Sequence, residues 1–146
     1  MRICLRGNKP GEYFQIELPE RTEIEVDRDL DDGYGIPARL TIAVGCLYAR
    51  LDEIPVVPDA LYYFHNQLTR CYEQLRGEAI YQPLIEEELE FSVRMTQQGK
   101  ALLVGCVRKG NEETMCVEFE MKTDQSCFPS VIQEINALAE EYRVVQ

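Results

Sequence analysis

Six cysteines, one histidine and 26 acidic side chains are the groups in this chain with the means to do chemistry. Cys4, Cys46, Cys71, Cys106, Cys116 and Cys127 include no C-x-x-C pair. Zinc sites are built from close Cys or His pairs, and His65 is the only histidine, so the spacing predicts no metal site. The expectation is free, mostly buried thiols in a reducing compartment. A hydrolytic site needs a base that activates a nucleophile. His65 lies at the margin of a helical stripe, and no Ser or Cys sits in a G-x-S-x-G type context, so no triad is expected. Asp27, Asp29 and Asp31 have the odd spacing of a calcium loop, but loop position six is Asp32 instead of Gly and position twelve is Ala38. Gly33-Tyr34-Gly35 lacks the third glycine and the following helix of a phosphate loop. Glu86, Glu87 and Glu88 are consecutive, and consecutive acids in an extended chain do not converge on a cation. The expectation is therefore a binding protein with no catalytic residue, no cofactor and no metal.

Binding then falls to surface charge and aromatic groups. The formal net charge is -11. Such a surface repels nucleic acid and anionic membrane at long range and steers a basic partner toward it. The acids alternate with apolar residues in strand-like runs, which puts Glu88, Glu90, Glu118 and Glu120 on outward faces. Tyr62 and Tyr63 fall off the apolar stripe of a helix, and tyrosine gives much contact area at low entropic cost. These six residues are the candidate partner contacts. The first residues, MRICLRGNKPGEY, contain no apolar run long enough for a signal peptide, and no window approaches a membrane span, so a cytoplasmic protein is expected. At 146 residues the length prior gives a single domain over 1–146.

The elements that must position these groups follow from periodicity. PDALYYFHNQLTRCYEQLRG places Leu61, Phe64, Leu68, Cys71, Tyr72 and Leu75 on one stripe of a helix of about nineteen residues, started by Pro58 and ended by Gly77. A second helix, from about Pro129 to Tyr142, carries Phe128, Val131, Ile132, Ile135, Leu138, Ala139 and Tyr142 on its stripe. Before the first helix, Ile3 to Leu5 reads as an edge strand. Tyr13 to Leu18 buries Phe14, Ile16 and Leu18, and Thr22 to Asp27 alternates. Arg39 to Leu51 reads as one strand with a bulge at Gly45-Cys46, where the alternation slips. After that helix, Ala79 to Leu84 is broken by Pro83. Glu88 to Thr96 turns at Gln97-Gln98-Gly99-Lys100 into a central strand, Ala101 to Arg108. Thr114 to Thr123 points Met115, Val117, Phe119 and Met121 inward. The predicted class is α+β: one curved antiparallel sheet of about six strands with two helices on one face, in the order β-β-β-α-β-β-β-β-α.

The order of segments carries a resemblance. Strands ending near ARLTIAVGCLYARL precede a helix that closes as LTRCYEQLRGEAIYQPL. LEFSVRM, KALLVGCVR and TMCVEFEMKT follow, and the chain ends with CFPSVIQEINALAEEYRV. This resembles the WapI-type immunity proteins of bacteria, whose first helix ends in a pattern like L-x-x-L-x-x-x-L-x-G-x-A and whose last helix opens on a proline. The resemblance runs from about residue 12 to the end and is strongest at Tyr72 to Leu84 and Phe128 to Tyr142. The chain departs from the family in having no tryptophan, and in having Pro58-Asp59-Ala60-Leu61 where a Asp-Leu or Glu-Leu pair opens the helix. The resemblance implies a cytoplasmic protein that binds and neutralises a cognate toxin domain, a nuclease delivered by a neighbouring cell. An acidic inhibitor suits the basic surface of such a nuclease. The rival class is a non-enzymatic small-ligand-binding or regulatory module, monomeric or homodimeric, with an apolar pocket between sheet and helices.

Overall fold

A computed structural model describes residues 1–20, 35–84, 87–110 and 113–142. The expected strand at Thr22 to Asp27, the Asp27/Asp29/Asp31 loop, Glu86, the Asn111-Glu112 turn and the Tyr142 side chain lie outside the described residues. The class is α+β, as expected, but the strands form two sheets instead of one. Strands β1 (Arg2–Arg6), β2 (Tyr13–Glu17), β3 (Ile36–Val44) and β4 (Leu47–Val56) make the first. Helix α1 (Pro58–Gln74) follows. Strands β5 (Glu78–Tyr81), β6 (Leu89–Met95), β7 (Lys100–Gly110) and β8 (Thr114–Asp124) make the second, and α2 (Phe128–Tyr142) ends the described chain. Each sheet is an antiparallel meander whose spatial order is its sequence order.

The first sheet gains a strand because Gly45-Cys46 is a hairpin turn and not a bulge. Val44 pairs with Leu47, Ile42 with Ala49 and Leu40 with Leu51, and Gly45 takes φ 58 at the first turn position. A two-residue turn shifts the parity of the alternation by one, just as a bulge does, so the pattern alone fits both. The bulge of this hairpin lies elsewhere: Asp52 and Glu53 face the single residue Arg39, and Glu53 takes φ 57. Arg39 Nε donates to Asp52 Oδ1 at 2.7 Å across it.

Helix α1 opens on Pro58 and buries Leu61, Phe64, His65, Leu68 and Cys71. It ends two residues earlier than Gly77 would place it. Leu75 takes the left-handed conformation, φ 56, and its N–H donates to Cys71 O at 2.8 Å. Tyr72 and Leu75, expected on the stripe, are instead more than 40% exposed. At the helix's last turn the core is already behind it, and the stripe has rotated off the protein. On α2 the stripe holds: Phe128, Val131, Ile135 and Leu138 are buried, with Ile132 partly so.

Both sheets and both helices share one core. Phe91 of β6 is its hub. It meets Phe14 of β2 edge-on at 5.2 Å, Phe64 of α1 edge-on at 5.0 Å, and the stacked ring of Tyr81 at 4.9 Å. Phe14 also meets Phe119 of β8 at 5.4 Å. Such pairs add directional preference to the area they bury. The helices do not lie together on one sheet. Helix α1 packs beside β5, the edge of the second sheet, and α2 beside β1, the edge of the first. Each supplies an acceptor to that edge: Ile80 N donates to Gln67 Oε1 at 2.7 Å, and Cys4 N to Glu134 Oε2 at 3.2 Å. Edge strands offer unpaired N–H groups to any passing strand, and these two are closed by side chains.

Candidate functional site

The helix stripes and inner sheet faces are committed to the core, so the outer faces of the two sheets and the outer sides of the helices remain for contact with a partner. Their chemistry differs. The outer face of the first sheet exposes Arg2, Arg6, Arg39 and Arg50 against Glu17 and Asp52. The second sheet carries the acids. Its register sets Ile80, Ser92, Val104 and Glu120 in one cross-strand row. The next row is Glu90, Cys106 and Glu118, and Glu88 lies beyond it, its carbonyl accepting from Arg108 N at 2.7 Å. The row on the other side, Glu78, Arg94, Leu102 and Lys122, sets one acid against two bases.

This face is concave and forms an open cleft of about 560 Å³ lined by Ile80, Glu90, Val104, Cys106, Glu118 and Glu120 among others. Gly105 is among the lining residues, and its inward side has no room for a side chain: an added Cβ would lie 2.4 Å from Phe119 Cζ. The ring of Phe119, a cross-strand partner, fills the space a side chain would take. Glycine in a central strand weakens it unless neighbours cover the gap. Ile80 and Val104, 38% and 41% exposed, put an apolar centre inside the acidic ring.

The four predicted glutamates thus share one face. The two tyrosines part company. Tyr62 is half-buried and stacks on His65 at 5.3 Å, while Tyr63 is 63% exposed. Tyr63 sits one turn before Gln67, the residue that caps Ile80 N, so it stands on the flank of α1 beside the β5 rim of the cleft. Met115, predicted inward, is exposed near the free end of the β7–β8 hairpin.

His65 is buried, not marginal. Its Nδ1 is 3.4 Å from Asn66 Oδ1, and its Nε2 has no hydrogen-bond partner among the described residues, so no nucleophile is paired with it there. The cysteines are free, but only Cys71 is fully buried, and Cys46 and Cys116 are exposed. Cys106, Cys116 and Glu118 bring a sulfur, a sulfur and a carboxylate oxygen within 4.8 Å of one another. Spacing rules missed this group because Cys106 and Cys116 meet across the β7–β8 hairpin, not along one turn. Alternation would have found it, since all three occupy outward positions near paired registers. Burial raises the Cys106 thiol above its ordinary value, and the neighbouring Arg108 guanidinium opposes the shift.

The interior offers no comparable site. The void between the sheets and α1, lined by Ile3, Leu5, Phe64, Leu68 and Phe91 among others, holds about 20 Å³, room for little more than one water. No helix among the described residues is long and apolar enough to cross a membrane. No curated protein and no solved structure matches the chain. One family does: its model spans residues 4–143, nearly every element described above, and on that match the chain belongs to the WapI-like immunity protein family.

Proposed function

We propose that this protein neutralises its cognate toxin domain by setting the concave outer face of β5–β8 against a basic surface of that toxin, a nuclease, in the cytoplasm of the producing cell. The observation that carries the reading is the grouping of Glu90, Glu118 and Glu120 around an apolar hollow on the second sheet, where Arg94, Arg108 and Lys122 lie outside that hollow, whereas the first sheet exposes four arginines against Glu17 and Asp52. A basic partner is steered to the acidic hollow and away from the arginines, while nucleic acid and membrane gain nothing from the hollow. The protein acts by occlusion and needs no chemistry of its own. Four strands spaced about 4.8 Å and some eight residues rising about 3.4 Å give a face of roughly 500 Å². A stable interface takes about 800 Å² from each partner, so the rim must contribute, and Tyr63 is the aromatic group placed to do so. The interior void is too small to favour a small-ligand module.

The test is co-expression with the toxin domain encoded beside this gene, scored by growth and by co-purification at increasing salt. Glu118→Lys combined with Glu120→Lys is expected to slow association by about tenfold or more and to flatten its salt dependence. Tyr63→Ala is expected to weaken the complex by about tenfold through faster dissociation. Arg50→Glu on the opposite sheet is expected to leave both unchanged. Rescue that survives the double reversal but fails with Arg50→Glu would overturn the choice of face. Absence of rescue and of complex by the native chain would overturn the pairing.

A further inference from the structure

Two cysteines on one exposed sheet face have three fates: inert thiols, a disulfide, or metal ligands. Register decides among them. Cys106 pairs with Glu118 and Arg108 with Cys116, so the two cysteines are diagonal neighbours on adjacent strands. Diagonal positions lie roughly 7–8 Å apart between Cα atoms, and a disulfide wants about 4.4–6.8 Å, so bridging would need the backbone to move. A shared ion asks for less. Tetrahedral ligands at about 2.3 Å from zinc stand about 3.8 Å from one another. The Cys106 sulfur, the Cys116 sulfur and a Glu118 oxygen already lie within 4.8 Å of one another, and small rotamer changes close the difference. The second observation is Arg108. It stands opposite Cys116 on the same outward face, so a cationic group already lies beside the two sulfurs.

We propose that Cys106, Cys116 and Glu118 form a binding site for a borderline-soft divalent cation of the zinc class, with the fourth position open to solvent or to a docked partner. Two thiolates and one carboxylate select such an ion over calcium or magnesium, which take oxygen donors. On binding, each thiol gives up its proton to solvent and Arg108 swings away from the sulfurs. Cys116 and Glu118 are exposed and Cys106 is half-buried, so an ion reaches the site without opening the fold. The site sits at the edge of the acidic hollow but does not rest on the toxin reading, and the free protein is enough to test it.

The full chain, reduced with a non-coordinating phosphine, is titrated with cobalt(II) and then with zinc(II). The expected result is one equivalent of cobalt bound with a thiolate-to-cobalt charge-transfer band, abolished when zinc displaces it. Cys106→Ser and Cys116→Ser should each remove most of the band. Even outer partners of a metal site are worth roughly 10–100-fold in affinity, so each loss of a ligand should weaken binding by at least ~10-fold. Glu118→Gln should weaken binding and keep the band, because both sulfurs remain. Cys46→Ser, at the β3–β4 turn, should change nothing. The replaced side chains point outward, and unchanged circular dichroism checks that the fold persists. No charge-transfer band in the native chain, or a band that survives the Cys106→Ser/Cys116→Ser double variant, would overturn the proposal.

Discussion

Tyr81 ties the start of α1 to the second sheet, and removing its hydroxyl should be felt twice. The side chain is fully buried and stacked on Phe91, and its hydroxyl accepts from Val57 N at 2.9 Å. Val57 is the N-cap residue of α1, and no side chain caps the helix there. Tyr81→Phe keeps the ring and strands that N–H. A buried donor left unpaired costs about 1–3 kcal/mol, and since Val57 is only partly buried we take about 1.5 kcal/mol. For a chain of this size that lowers the thermal midpoint by roughly 3–6 °C. The second effect is at alkaline pH. Burial pushes the Tyr81 hydroxyl from 10.0 up to about 12, and the hydrogen bond from Val57 opposes this only in part. A folded-state value above the unfolded one means the neutral form is the one the fold prefers. Its contribution is complete below about pH 10 and is lost as pH rises through about 12. Two pH units correspond to at most about 3 kcal/mol. Urea denaturation at pH 7, 10 and 11.5 should show the native chain losing stability faster than Tyr81→Phe above pH 10, so that the two curves converge. Equal stability at pH 7 would show that the Val57 N–H finds water. Parallel curves above pH 10 would show that the hydroxyl is not buried as described.

Three further outcomes follow from single positions. Gly105→Ala should destabilise the protein by about 1–3 kcal/mol or prevent folding, because its Cβ would meet the Phe119 ring at 2.4 Å, read as the shift in urea midpoint. Leu75→Gly should stabilise by about 0.5–1 kcal/mol in thermal melts, since a non-glycine residue there holds φ 56 and its side chain is largely exposed. Burial raises the Glu134 carboxyl above its ordinary 4.5, and its bond to Cys4 N and the nearby Arg2 and Arg6 oppose the shift. A raised carboxyl makes the native chain lose stability as pH climbs through the folded value. Glu134→Gln keeps the acceptor without the charge and should flatten that slope between pH 4 and 7.

The sequence pattern carries the parts of this fold that depend on one strand or one helix. The alternation of LEFSVRM buries Leu89, Phe91, Val93 and Met95, as expected, and the stripe of α2 holds almost residue for residue. It fails where two local structures produce one pattern. Gly45-Cys46 shifts the parity of its run whether it bulges or turns. Leu75 and Gly77 both take positive φ, and the helix stops at the residue whose amide reaches Cys71 O. The division into two sheets is a matter of which strands pair across α1, and alternation says nothing of that. The site divides in the same way. Glu88, Glu90, Glu118 and Glu120 were legible as outward residues, because outwardness is a property of each strand. That they gather about a hollow depends on register, which only pairing supplies.

Among the described residues the order of elements repeats: four antiparallel strands and a helix, then four antiparallel strands and a helix. Neither half keeps its helix for itself. Gln67 of the helix that follows the first sheet closes the edge of the second at Ile80, and Glu134 of the helix that follows the second closes the edge of the first at Cys4. Ile80 and Cys4 are each the third residue of their strand. The exchange binds the halves through both helices as well as through the aromatic contacts of Phe14 with Phe91 and Phe119. It also leaves the outer sheet faces open to a partner. With β1 and β5 closed by side chains and both helix stripes spent on the core, strand addition and helix docking at those places are blocked. A flat or convex sheet would then offer only side-chain tips. The second sheet is hollowed, and in the hollow glutamates and an apolar centre can act on the same partner atoms.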